Sequence, residues 1–344
     1  MTMRRSLPRR ARGAAILLAL LIMTLVATLA AGMVWLQWRG IEVEAADRAR
    51  GQGQWLLNAA LDWGDLILRS SIRNGHTDDD LTQPWATPLA ETKLSSFLSA
   101  DGSHAAAEDG GPEAYLSGQI TDAQSKYNLY NLVAANAGKG ANSEAARFLN
   151  LCSQIGVAQD ACARIVSGFT MSWSNVATGT SAGASAPAPS TVNDPQAVLM
   201  PQDVADLAWY GIDDKTVRQL QPYVVLIPPQ AAGPVSLTPI NVNTASAAVL
   251  SIANPDMTPA YAQMLVQRRQ QAPLDSTRAI TAALNLSNAN SIDLGQLDVK
   301  SDYFEVYGQL RYEQHVIRER TLVWRQSAAS VVVLHRVRLP PDAQ

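Results

Sequence analysis

Between Ala14 and Leu36 the chain carries 23 residues without a charge, AAILLALLIMTLVATLAAGMVWL. As a helix at 1.5 Å per residue this run is roughly 34 Å long, enough to cross the hydrocarbon of a bilayer. Trp35 and Trp38 fall where an interfacial aromatic belt is expected. Arg4, Arg5, Arg9, Arg10 and Arg12 precede the run with no acidic residue beside them, and Arg39, Glu42, Glu44 and Asp47 follow it. The positive-inside rule then places residues 1–13 in the cytoplasm and everything after about Gln37 on the other side, in a single pass. A cleaved signal peptide is the alternative, with Thr28-Leu29-Ala30 or Ala30-Ala31-Gly32 as its site. Its apolar core is normally only about 7–15 residues long.

The rest of the chain is acidic. Without the five leader arginines, 22 basic side chains face 30 acidic ones, a net of −8. Such a balance argues against a general binder of nucleic acid, which needs many cations to displace counterions.

No proline lies between Pro8 and Pro84, so one helix is expected from Ala14 to about Ser70. Trp55, Leu56, Ala59, Ala60, Trp63, Leu66 and Ile67 recur at spacings of three and four, and this face is expected to pack on a soluble head. A strand is expected near Tyr115–Thr121, and β patterning returns after Leu297 in DYFEVYGQLRYE, RTLVWRQ and SVVVLHRVRL. The stretch between reads mainly helical, over Ser143–Ile155, Asp160–Phe169, Pro201–Trp209, Lys215–Leu220, Ala245–Ile252, Ala260–Gln270 and Thr277–Leu284. The expected organisation is a leader (1–13), a membrane segment (14–36), and the helix continuation with the first part of a head (37–135). An inserted helical domain (136–294) and returning strands (295–340) complete it. Within the insert, 174–193 is expected to be an uncharged flexible loop of small residues and prolines.

The leader ends in Gly13 and the apolar helix opens at Ala14-Ala15-Ile16-Leu17-Leu18. This resembles the leader of type IV pilins and pseudopilins, which implies that a prepilin peptidase cuts between Gly13 and Ala14 and that Ala14 is then N-methylated. The fifth position of the mature family chain is normally Glu; here it is Leu18. A buried carboxylate needs a partner, supplied in the filament by a neighbouring subunit's terminal amine, so an apolar residue fits a subunit at the tip. Three further patches resemble the K-type minor pseudopilin of type II secretion (general secretion pathway protein K family). They are GQITDAQSKYNLYNLV, then QLQPYVVLIPPQ with TPINVNTASAAVLSIA, then Ser301-Asp302-Tyr303-Phe304.

The resemblance implies an α+β pseudopilin fold: a long transmembrane and amphipathic helix on a small antiparallel sheet, with an inserted helical domain that contains a helix-hairpin-helix-like unit. It implies a non-enzymatic subunit at the pseudopilus tip, anchored in the inner membrane with its bulk in the periplasm. The implied partners are the I- and J-type minor pseudopilins, other pseudopilins and the prepilin peptidase. Secreted proteins and the outer-membrane channel are further candidates.

Family members carry acidic stretches linked to bound calcium. In their place stands SGFTMSWSNVATGT, which has no acid, so calcium is not expected there. Asp194, Asp203 and Asp206 would make a poorer site. INVNTASAAVL with AYAQMLVQRR also resembles a DNA-gripping helix-hairpin-helix, the basis of an alternative reading as a membrane-anchored DNA-uptake protein. Its Gly-x-Gly turn is replaced by NPDMTPA, whose prolines remove amide donors. A packing unit is expected instead, with Asn241 and Asn243 as turn and cap groups and Thr244 as the N-cap.

Gly179-Thr180-Ser181-Ala182-Gly183 fits a hydrolase nucleophile elbow by letter, but lies in the small-residue run rather than between a strand and a helix. His76, His104, His315 and His335 show no metal spacing, and no catalytic constellation is expected. Cys152 and Cys162 are ten apart and lie outside the membrane, where disulfides persist. A bond between them would close a small loop and contribute about 2–3 kcal/mol; two buried thiols are the alternative.

Overall fold

The computed structural model describes residues 11–93, 114–135, 137–180, 199–230, 235–284, 294–312 and 315–340. It opens with one uninterrupted helix, α1 (Ala11–Arg73). The chain divides after Leu56 into two compact units, the second running from Leu57 onward. In the first, the apolar residues of 14–36 stand exposed around the whole helix, Leu18 among them. A helix apolar on all sides and uncovered by its own chain suits a bilayer or a packed bundle. It is long and apolar enough to cross a membrane.

In the second unit, strands β1 (Leu89–Lys93) and β2 (Ala114–Asp122) pair antiparallel, and a two-residue β3 (Tyr127–Asn128) follows. The helices α2 (Glu144–Gln154), α3 (Gln159–Thr180) and α4 (Asp214–Leu220) come next, with a 3-10 turn at Val204–Tyr210 before α4. After them come β4 (Val224–Val225), β5 (Ile240–Asn241), α5 (Ala247–Leu250), α6 (Pro259–Gln271), α7 (Thr277–Ala283) and β6 (Leu297–Asp298). The long strands β7 (Tyr303–Tyr312), β8 (His315–Arg325) and β9 (Val331–Leu339) close the chain. The main sheet is antiparallel in the order β1-β2-β7-β8-β9. Its neighbours β2 and β7 are far apart in sequence, with Asp122 opposite Phe304. The helical insert therefore leaves the sheet after Asp122 and returns at Ser301. The fold is the expected α+β one.

The second half of α1 lies on this sheet, but not by the face the spacing suggested. Leu57, Leu61 and Leu68 are buried, whereas Trp63 and Leu66 are exposed by 42% and 50%. The two stripes lie about half a turn apart at 100° per residue. Glycine decides between them. A Cβ on Gly308 of β7 would stand 2.8 Å from Leu57 Cδ1, and one on Gly64 would stand 3.3 Å from Val306 Cγ1. Bare backbone on both elements lets helix and strand approach closely along the leucine stripe. Each of those leucines contributes about 1.5–3 kcal/mol through burial. Gly64, which weakens the isolated helix, thus has a packing role.

Helices of the insert start where side-chain oxygens can meet orphan amides. Ser143 caps α2, Asp213 α4, Thr258 α6 and Ser276 α7, each accepting from an amide in the first turn. Two positions differ from expectation. The helix read over Asp160–Phe169 continues as α3 through Thr180, so 174–180, expected as the start of a loop, are helical; 181–193 lie outside the described residues. No proline interrupts this run before Pro187, and helical hydrogen bonds propagate through it. β1 was not anticipated: LAETK has little alternation, and its pairing with β2 holds it. Cys152 and Cys162 are disulfide-bonded, joining the end of α2 to the start of α3 across the Gly156 turn.

Candidate functional site

The three sequence patches meet at the neck where the insert joins the sheet. The chain's last β2 residue, Asp122, is buried with its carboxylate aimed inward. Its Oδ1 accepts the Gln124 amide at 2.8 Å. Its Oδ2 accepts from Ser301 Oγ at 2.6 Å, Thr244 Oγ1 at 2.5 Å and Asn241 Nδ2 at 2.9 Å. Asn241 Nδ2 also reaches the Asp79 carbonyl and Ser301 Oγ, each at 2.9 Å. One carboxylate thus ties together the outgoing strand, the Asn-Val-Asn-Thr run and the returning segment. Burial pushes the Asp122 carboxyl up to about 6; the Ser301, Thr244 and Gln124 donors oppose that shift and the Asp79 charge adds to it.

A charge pair also closes the neck. Arg325, the last residue of β8, donates from Nη2 to Asp79 Oδ2 and to the Ser301 carbonyl, each at 2.6 Å. Its guanidinium lies 4.6 Å from the Phe304 ring centroid. Asp79 Oδ2 also accepts the Ser301 amide at 2.9 Å. Both charged side chains are almost wholly buried, so either without the other would be a desolvated, uncompensated ion. Asp79 and Arg325 were missed at the level of sequence. Asp79 stands in an acidic turn run, DDD, and Arg325 in a strand with alternating charge; neither pattern signals burial.

Asparagines extend the clasp by imitating backbone. Asn128 Nδ2 donates to the Ile227 carbonyl and its Oδ1 accepts the Ile227 amide, both at 3.0 Å. Asn131 treats Thr238 in the same way. The patch NLYNLV therefore holds the PYVVLIPP and TPI segments by their main chains, beside the short β3–β4 pair. Asn243 does so again, exchanging two hydrogen bonds with Leu274. Of the expected turn and cap groups, Asn241 makes the turn, its Oδ1 accepting the Asn243 amide. Asn243 does not cap a helix, nor does Thr244, whose hydroxyl is drawn to the Asp122 carboxylate. The cap of α5 is Ser246.

The hairpin between α5 and α6 has spent its amides. Asn254 accepts from Asp256 and Met257, and Met257 is buried in the turn. Arg269 turns inward to the Val242 and Ala245 carbonyls, each at 2.6 Å. What a phosphate-gripping turn would offer is used here for packing.

The stretch SGFTMSW lies on α3 without a carboxylate, and among the described residues no three His, Cys, Asp or Glu could share a metal. Asp203 and Asp206 are committed to a reciprocal capping box at the 3-10 turn, and Asp203 also pairs with Arg320 of β8. Asp194 lies outside the described residues. Of the elbow-like pattern, Gly179 and Thr180 end helix α3 rather than follow a strand, and Ser181–Gly183 lie outside the described residues. His315 and His335 stand on β8 and β9, His76 just after the turn that ends α1, and His104 outside the described residues. Gly13 and Ala14 occupy the opening turns of α1.

The neck is also where comparison with known proteins is most specific. Residues 240–300 match the family model described as type II secretion system (T2SS), protein K. The match starts one residue before Asn241 and stops one before Ser301. The type II secretion system protein K of Pectobacterium carotovorum subsp. carotovorum is 27% identical over 349 residues, covering 95% of this chain and 96% of its own. Both sequence comparisons are with protein K of type II secretion systems. In fold, the chain is similar to a chain in the crystal structure of the GspK-GspI-GspJ complex from the enterotoxigenic Escherichia coli Type 2 Secretion System. The TM-score is 0.57 at 15% identity, with 86% of this chain and 98% of that chain covered. That likeness speaks for the fold.

Proposed function

We propose that the chain is the minor pseudopilin that starts and caps the pseudopilus of a type II secretion machine, assembling there with I- and J-type minor pseudopilins. The observation that carries this is the second apolar stripe of α1. Ala59, Trp63 and Leu66 continue an apolar helix outward while the opposite stripe is buried on the sheet. Leu66 is half exposed on this face, and a partner helix would cover it. In this reading residues 1–13 are cytoplasmic, the peptidase cuts between Gly13 and Ala14, and the bulk of the chain is periplasmic. Leu18 suits the tip because no further subunit supplies an amine there. The insert, held at its neck, would block the addition of another subunit. No step of chemistry is assigned to the chain; it is itself the substrate of the peptidase.

The test is co-purification of the full chain with its I- and J-type partners from membranes carrying the native secretion genes. Ala59→Glu combined with Leu66→Glu is expected to lower recovery of the partners by about tenfold or more, as loss of a central anchor does. The unfolding midpoint should stay near that of the parent. Undiminished recovery would contradict the reading.

A further inference from the structure

The main sheet ends on β9, and among the described residues no strand pairs with its outer side. The direction of its free hydrogen-bonding groups follows from β8. The Arg325 amide donates to the Asp302 carbonyl at 2.7 Å, toward β7, and the Gln326 amide donates to the Ser330 carbonyl at 3.0 Å, toward β9. Along an antiparallel strand these two directions alternate. Val323 and Thr321 therefore face β7, and their β9 partners Val333 and Arg336 turn their own amides and carbonyls away from the sheet. Val331, opposite Arg325, does the same. Leu334 is the extra residue between Val333 and His335, where the register shifts.

Edge strands are ordinarily blunted by shortness, lysine or proline. The opposite edge, β1, has five residues and carries Glu91 and Lys93. β9 has nine, with neither proline nor lysine among them. It opens with three valines, of which Val332 and Val333 stand 37% and 44% exposed, one on each face of the sheet. Its second half carries Arg336 and Arg338, and the strand holds no Asp or Glu. A row of outward amides and carbonyls is matched in spacing by an extended main chain and not by a helix. Two copies of β9 side by side would oppose arginine-bearing strands with no carboxylate on either.

We propose that β9 is a docking edge that takes an extended segment of another protein as a sixth strand, with aliphatic side chains beside Val332 and Val333 and carboxylates beside Arg336 and Arg338. Main-chain hydrogen bonds supply the affinity, and those side-chain pairs the choice of partner. This edge is a different element from the exposed stripe of α1, so the proposal stands apart from the filament reading.

The test is a fluorescence-anisotropy titration of the full chain in detergent micelles with a labelled peptide of alternating valine and threonine that carries glutamates at one end. Its controls have lysine in place of glutamate, or are N-methylated throughout and so cannot donate. Saturable binding of the glutamate peptide is expected, with the lysine peptide about tenfold weaker and no binding of the N-methylated one. Val333→Pro removes an outward N–H, at the kind of edge position where a sheet accepts proline. It should abolish binding while β8 and β9 stay paired. Where that variant fails to fold, the N-methylated peptide still decides the matter on the parent chain. Binding that survives N-methylation, a lysine peptide as tight as the glutamate one, or the absence of saturation would each overturn the proposal. So would a dimer of the chain, seen by sedimentation, that Val333→Pro disperses.

Discussion

The helix-on-sheet contact and the neck of the insert hold the same unit together by opposite means. Leu57, Leu61 and Leu68 meet the sheet through shape, and the closeness depends on Gly64 and Gly308 having no side chain. Asp79, Asp122, Asn241, Ser301 and Arg325 meet at the neck through directed hydrogen bonds between groups that would each be costly alone. The first contact tolerates exchange of one apolar group for another of similar volume. The second does not, since removing one member leaves the others buried and unpaired. A leucine stripe can slide or rotate along a sheet, whereas a carboxylate with four donors admits one arrangement. The neck is thus suited to fixing where a large insert sits on a small head.

That difference can be broken most sharply at Arg325. Arg325→Met keeps much of the volume but strands the Asp79 carboxylate, and is expected to destabilise the second unit by about 3–5 kcal/mol. Urea unfolding of the full chain in micelles measures this, and the companion Asp79→Asn, Arg325→Met pair should recover part of the loss. Asp122→Ala follows, leaving the Ser301, Thr244 and Asn241 donors without their acceptor, at a cost of about 3 kcal/mol in the same assay. Packing inside the insert provides the contrast. A Cβ at Gly168 would stand 2.8 Å from ring atoms of Tyr210, so Gly168→Ala is expected to cost about 1–3 kcal/mol. Reduction of Cys152–Cys162 should cost about 2–3 kcal/mol, read as a lowered unfolding midpoint with reductant present.

The pH dependence bears on the neck through Asp122, whose carboxyl is buried there. Burial raises the Asp122 carboxyl from 3.8 to about 6, so the folded state takes up a proton before the unfolded chain does. Its contribution to stability therefore falls as pH rises from about 3.8 to about 6, and is flat above that. The parent should lose more stability than Asp122→Asn between pH 4 and pH 6, by urea titrations at both. Equal changes in the two chains would mean that Asp122 is ionised throughout.

Much of this was legible in the sequence where the physics is periodic. The proline-free run gives α1, and apolar alternation gives β2 and β7 to β9. Periodicity misassigned the buried face of α1, since that segment is apolar on two sides and only Gly308, far away in the chain, decides which side the sheet accepts. Thr244 was misread as a cap because its partner, Asp122, lies 122 residues away. The neck was half visible. Resemblance singled out the segments holding Asp122, Asn241 and Ser301, while Asp79 and Arg325 have no local pattern that marks a buried ion pair.

The central claim is that this helix belongs in a filament that grows from the membrane, and the start of the mature chain tests it most directly. Mass spectrometry of the protein from membranes carrying the native secretion genes should find an N-terminus at Ala14, N-methylated, with the apolar helix retained. A chain beginning near Ala31 or Gly32 would have lost that helix, and the pseudopilus account would fall with it.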